Sequence, residues 1–104
     1  MTYKKTTAVI FENPGALELR EASLRAPAAN ECLIESDWSG ISTGTERLML
    51  TGQMPPFPGL GYPLVPGYET TGRVISAPPN SPISEGMRVF VPGGVGFTDA
   101  KNLF

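Results

Sequence analysis

Apolar residues come in short runs, of which Ala8-Val9-Ile10-Phe11 is among the longest, and turn residues separate them. Thr6 to Phe11 is β-branched and apolar, which predicts a strand. Asn13-Pro14-Gly15 predicts a turn, because proline presets φ and glycine tolerates positive φ. Leu17-Glu18-Leu19-Arg20 alternates with period two and predicts a second, half-buried strand. Arg25 to Asn30 follows as a loop, and Glu31 to Trp38 as a third strand with Cys32 and Ile34 on one face and Glu31 and Glu35 on the other. Further strands are predicted over Glu69 to Ala77 and Met87 to Val91, with a turn-rich loop from Pro78 to Pro82 between them. Gly72 lies inside the first of these, where a missing side chain lets a neighbouring backbone approach.

One helix is expected, over Ser42 to Gly52. Thr43 and Glu46 have the spacing of a capping box, Leu48 to Leu50 supply a buried face, and Gly52 suits the left-handed position after the last turn. From Met54 to Pro66 the chain holds five prolines, two glycines, Phe57 and Tyr62, which excludes regular structure there. Such a stiff apolar loop reads either as a packed connector over the core or as the wall of a site for a flat apolar ligand. The tail from Pro92 to Phe104 holds a Gly-rich turn and a short polar segment. Together these elements describe a small, mostly β domain, a partly open barrel with one short helix.

Composition fits that outline. Twelve glycines and 11 prolines in 104 residues are about twice the usual share and rule out a mostly helical chain. Eight basic and 10 acidic residues give a net charge of −2, and no block of like charge forms a footprint for nucleic acid or anionic lipid. No apolar run is long enough to span a bilayer, and no signal-like stretch follows Lys4 and Lys5, so the expectation is a cytoplasmic protein. Cys32 is the only cysteine, which excludes an internal disulfide and a zinc finger. It reads as a small buried hydrophobe, since no nearby cation activates it. Histidine is absent, so a Ser-His-Asp triad, a Cys-His pair and a histidine-ligated metal are all excluded within this chain.

Three stretches carry candidate chemistry. Gly94-Val95-Gly96 after a strand has part of a dinucleotide fingerprint, but Asp99 stands where the third glycine belongs, so it reads as an ordinary turn. Trp38 to Arg47 gathers four hydroxyls and an ion pair at a strand-to-helix junction. Capping accounts for Thr43 and Glu46 there, and accounts less well for Ser42 and Thr45. In Pro63 to Val74, Tyr68 beside Glu69 after a rigid turn suits proton handling; chemistry alone favours a turn-to-strand junction with a surface glutamate and a half-buried tyrosine.

These stretches resemble the medium-chain dehydrogenase/reductase superfamily. Pro63 to Val74 is similar to its P-x-V-x-G-H-E-x-x-G-x-V signature, with Tyr68 at the histidine place. Gly40-Ile41-Ser42 is similar to its G-I-C segment, with Ser42 at the cysteine place, and Gly86-Met87-Arg88-Val89 to its G-D-R-V turn. The resemblance implies a GroES-like catalytic domain over residues 1–104. A Rossmann NAD-binding domain would follow it, outside this chain, and the domain alone would be inactive. Trp38 to Arg47 with Thr51 to Glu69 further resembles one branch of the superfamily. Its members act in bacteriochlorophyll synthesis, oxidising the 3-(1-hydroxyethyl) group of a bacteriochlorophyllide-type tetrapyrrole to 3-acetyl, with NAD as hydride acceptor.

On that resemblance Tyr68, Ser42, Thr45 and Glu69 are the catalytic candidates, a hydroxyl relay that takes the alcohol proton as hydride leaves. A free phenol titrates near pH ~10, so a phenol acting as base needs a perturbing neighbour. Thr43 and Arg47 are cofactor candidates, with a helix cap and a surface arginine as equally good readings. Phe57, Leu60 and Tyr62 are candidates for the tetrapyrrole wall. Neutral hydroxyls at the cysteine and histidine places are poor zinc ligands, so a zinc-free site is expected. Expected partners are the tetrapyrrole and the chain's own Rossmann domain, with a homo-oligomer possible at full length. The competing readings are a zinc-free quinone or enoyl reductase of the same superfamily and a non-enzymatic, co-chaperonin-like ring subunit. The latter would need a mobile hydrophobic loop, which the proline-rich segment opposes.

Overall fold

A computed structural model describes residues 3–102. Its elements are β1 (Lys4–Asn13), β2 (Ala16–Leu24), β3 (Leu33–Gly40), α1 (Thr45–Thr51), β4 (Leu64–Val65), β5 (Glu69–Ser76), β6 (Arg88–Pro92) and β7 (Lys101–Asn102). They form two open sheets, one ordered β2-β1-β4-β7 and the other β3-β5-β6. The mostly β character and the short helix thus match the expected architecture. No described helix is long and apolar enough to cross a membrane.

β1 and β2 form an antiparallel hairpin running from the Lys4–Leu24 pair to the Asn13–Ala16 pair, with a register shift between Phe11 and Asn13. Both strands outlast the apolar runs that predict them, because hairpin pairing carries the polar ends along. The hairpin tip docks on the end of α1, where the Gly15 N–H donates to the Leu50 carbonyl. Leu64 pairs with Phe11 of β1 and also runs parallel to β7, so two residues of the proline-rich segment are strand after all. Pro63 and Pro66 flank this pair, outside the ladder, where a missing N–H costs nothing.

Phe11, Met49 and Leu64 are buried together. Val9, Leu50, Met54, Phe57, Leu60, Tyr62 and Tyr68 pack around them. The core of this half is therefore capped by α1 and the proline-rich loop. The second sheet is packed less: of its described residues only Gly72 and Val74 are buried. Across its outer face Trp38 (79% exposed), Thr71 and Phe90 (59% exposed) lie in one register row.

Three expectations need correction. The third strand begins at Leu33 rather than Glu31, because Glu31 closes a turn. Its N–H donates to the Ala28 carbonyl, and its carboxylate accepts from the Ala28 N–H and pairs with Arg25 at 2.6 Å. Cys32, just before the strand, is half-buried rather than buried. The helix begins at Thr45, three residues after Ser42, because Ser42 and Thr43 belong to its approach. Gly52 does adopt the expected left-handed conformation at its end. Gly94 to Gly96 is irregular after a bend at Gly93, and its bonds are local: the Gly96 carbonyl accepts from the Arg25 N–H, and Asp99 accepts from the Ser23 N–H at 3.0 Å.

Gly72 meets the close approach expected of it, since a Cβ there would lie 2.3 Å from the Glu35 carbonyl oxygen and 2.8 Å from Ile34. Gly72→Ala is expected to destabilise the fold by about 1–3 kcal/mol in urea denaturation, the usual cost of overpacking. The Arg25 guanidinium, followed by the Ala28 N–H, lowers the Glu31 carboxyl from 4.5 to about 2. A carboxyl depressed on folding stabilises above its ordinary range, and that contribution fades as pH falls through about 2. The melting-temperature difference between wild type and Glu31→Gln should therefore shrink between pH ~4.5 and ~2, while staying constant at higher pH.

Candidate functional site

Ser42 and Tyr68 come from separate parts of the chain, and one carboxylate joins the backbone around them. β3 ends at Gly40, and Ile41-Ser42 leads toward α1. The Ser42 N–H donates to Glu46 Oε1 at 2.8 Å, and the Glu46 N–H donates back to Ser42 Oγ at 3.2 Å. The other carboxylate oxygen, Oε2, accepts from the Gly67 N–H. Glu46 is 0% exposed, and none of the ion pairs among the described residues includes it.

Gly67 precedes Tyr68 in a turn with φ of 84°. A Cβ at Gly67 would lie 2.4 Å from Ser39 Oγ, so this turn sits directly on the end of β3 and only glycine fits. Thr70 Oγ1 donates to the Gly67 carbonyl at 3.0 Å and closes the turn from the other side. Glu69 then pairs in register with Gly40. The result is a junction in which the approach to the helix and the Pro66-Gly67-Tyr68 turn are held against each other.

The predicted site residues divide into groups. Ser42, Tyr68 and Glu69 come together at this junction, with Ser42 and Tyr68 half-buried and Glu69 exposed. Thr45 is half-buried at the start of α1, next to Glu46, while Thr43 and Arg47 are exposed. Phe57, Leu60 and Tyr62 are half-buried against the Phe11–Met49–Leu64 cluster, on which Tyr68 also packs. The Tyr62 hydroxyl donates to the Met49 carbonyl. A cleft of about 970 Å³ opens between the two sheets, lined by Ser39, Ile41, Tyr68, Thr70 and Val91 among others. Of the predicted site residues only Tyr68 reaches it.

The reciprocal box at the helix start therefore uses Ser42 with Glu46, not Thr43. The spacing is one residue longer because the helix begins late, with Gly44 at its N-cap and no side-chain cap there. Glu46 itself was legible only as a cap partner; the second bond, across 21 residues to Gly67, leaves no trace in local spacing.

No model of a known protein family matches the chain. It is 55% identical over 98 residues to the 2-desacetyl-2-hydroxyethyl bacteriochlorophyllide A dehydrogenase of Cereibacter sphaeroides, covering 92% of this chain and 31% of that protein. It is 47% identical over 94 residues to the protein of the same name from Rhodobacter capsulatus, covering 90% of this chain and 30% of that protein. An alcohol dehydrogenase, patD of Penicillium expansum, is 34% identical over 92 residues, covering 88% of this chain and 23% of that protein. The chain thus spans about a third or less of the length of the curated relatives it matches. Among solved structures, a probable oxidoreductase from Mycobacterium abscessus superposes with a TM-score of 0.70 at 24% identity, over 96% of this chain and 32% of that one. That likeness establishes a shared fold.

Replacing Ser42 by Ala should cost about 1 kcal/mol of stability, the usual worth of one lost hydrogen bond, whereas Thr43→Ala should stay within ~0.5 kcal/mol. Thermal unfolding of the two variants side by side checks which residue forms the box.

Proposed function

We propose that this chain is the substrate-side, GroES-like domain of an NAD-dependent dehydrogenase. Its reaction is oxidation of the 3-(1-hydroxyethyl) group of a bacteriochlorophyllide-type tetrapyrrole to 3-acetyl. The observation that carries this reading is the 55% and 47% identity, over nine-tenths of the chain, to two dehydrogenases named for a hydroxyethyl bacteriochlorophyllide. The similarity to an alcohol dehydrogenase supports the same reaction type. Nothing in the comparisons favours a quinone or enoyl reductase, or a co-chaperonin-like subunit.

Oxidising a secondary alcohol removes a hydride from the carbinol carbon and a proton from its hydroxyl. NAD, when bound, accepts the hydride. This chain offers that cofactor only peripheral contacts, the exposed Thr43 hydroxyl and the Arg47 guanidinium, which suits a phosphate oxygen. The Gly94–Gly96 segment is occupied in joining the end of β2, so cofactor binding falls mainly to a Rossmann domain.

The proton falls to the hydroxyl groups at the junction. Tyr68 lines the inter-sheet cleft and is assigned the first transfer, its oxygen taking the substrate hydroxyl's proton as its own phenolic proton passes into the relay. Ser42 and Thr45 extend the relay, and Glu69, exposed at the start of β5, orients it or takes the proton onward to solvent. Zinc has no part in this mechanism, because Ser42 and Tyr68 supply neutral oxygens where a Lewis-acid metal would need softer or anionic donors. Phe57, Leu60 and Tyr62 give one side of their apolar surface to the core and keep part exposed, and the exposed part is assigned to the macrocycle.

The test uses the protein at its full natural length, with the hydroxyethyl tetrapyrrole and NAD. Acetyl product and reduced cofactor should form in equal amounts. Tyr68→Phe should lower kcat roughly 10²–10⁴-fold, the usual worth of a general base, with a much smaller change in KM. Failure of the wild type to form the acetyl product overturns the function; unchanged kcat across pH in Tyr68→Phe removes Tyr68 from it.

A further inference from the structure

Glu46 poses a problem that capping does not solve. A helix N-terminus needs only an acceptor for its N–H groups, and an exposed Ser, Thr or Asp provides one at little cost. Here a carboxylate is completely buried, and its recorded donors are neutral backbone N–H groups. Acidic residues are almost never fully buried unless something specific holds them. The helix it begins has seven residues, too few to hold itself in place, so tertiary bonds must set its position.

The two carboxylate oxygens are divided between two segments. Oε1 holds the N–H of Ser42, and Oε2 holds the N–H of the residue before Tyr68. We propose that Glu46 is a positioning residue of the dehydrogenase site, its carboxylate acting as a rigid two-ended spacer that sets Ser42 and Tyr68 relative to each other. The proposal rests on the dehydrogenase reading above for its catalytic consequence, but not for its geometry. A carboxylate suits the task because both oxygens accept and both partners donate. An amide would present its NH₂ to one of the two N–H groups. A shorter aspartate would lose reach by one methylene and hold only one end. Small errors of placement at a proton-transfer site are costly, on the order of 10²-fold in rate for about 1 Å.

The experiment uses the full-length protein and reads rate and geometry separately. Glu46→Gln and Glu46→Asp, assayed well below their melting temperatures and normalised to folded protein, should lose roughly 10–100-fold in kcat with KM for NAD within about twofold. In a Tyr68→Phe background, adding Glu46→Gln should cost no more than about twofold further, because a residue that acts through Tyr68 has nothing left to position. In the wild type, hydrogen exchange should show the Ser42 and Gly67 amides protected to a similar degree, which needs no variant to fold. Equal losses with and without Tyr68, or full kcat in folded Glu46→Gln, overturn the proposal and leave Glu46 a purely structural residue. A wild type that turns over but exchanges its Gly67 amide freely overturns it too. A wild type that oxidises nothing overturns the dehydrogenase reading instead.

Discussion

Where α1 begins, a buried carboxylate that joins no ion pair among the described residues accepts backbone hydrogen bonds from two distant parts of the chain. Burying such a group is unfavourable unless its lone pairs are satisfied, and here no buried side-chain polar atom among the described residues lacks a partner. The same bonds that make Glu46 tolerable also join the end of β3, the start of α1 and the turn before β5. Those three segments carry the residues assigned to proton transfer. Removing the carboxylate would free the start of α1 from the other two, which the Gly40–Glu69 pair of the β3–β5 ladder also holds together.

The remainder of the fold supports that junction unequally. The β2-β1-β4-β7 sheet has a proper apolar core, closed by Met49 of the helix and by a loop rich in proline. That loop replaces a second layer of regular structure. Proline lowers the entropy the unfolded chain must give up, so an irregular segment can still pack Phe57, Leu60 and Tyr62 firmly. The β3-β5-β6 sheet relies on its backbone ladder, with Val74 its main buried side chain and Trp38 and Phe90 left largely exposed. The junction at Glu46 lies where the two halves meet, and the open cleft between the sheets reaches Tyr68.

Charge pairs at the surface do a different job. Arg20 pairs with Glu12 and, through Asp99, helps hold the 97–99 segment along β2. Arg25 and Glu31 close the loop before β3. Such exposed pairs add little stability singly. Their effect is positional, and it explains why Glu31 belongs to a turn although its place in the alternation suits a strand.

The amino-acid order settled the elements. Alternation, β-branching and turn residues were enough for the main strands, the hairpin turn and the short helix, because each depends on residues near one another in the chain. Residue chemistry alone left Tyr68 a half-buried turn residue; it was the resemblance of the two motifs to the medium-chain superfamily that drew attention to Ser42 and Tyr68. Pairing across space was not legible. Leu64–Val65 became a strand because Phe11 offered it an edge, and a two-residue strand has no periodicity to detect. The half-buried state of Phe57, Leu60 and Tyr62 against the core followed from where the loop landed, which composition leaves open. Above all, the choice of Ser42 over Thr43 as the partner of Glu46, and the second bond to Gly67, required the folded chain: a hydrogen bond spanning 21 residues is dictated by tertiary proximity, and no local pattern encodes it.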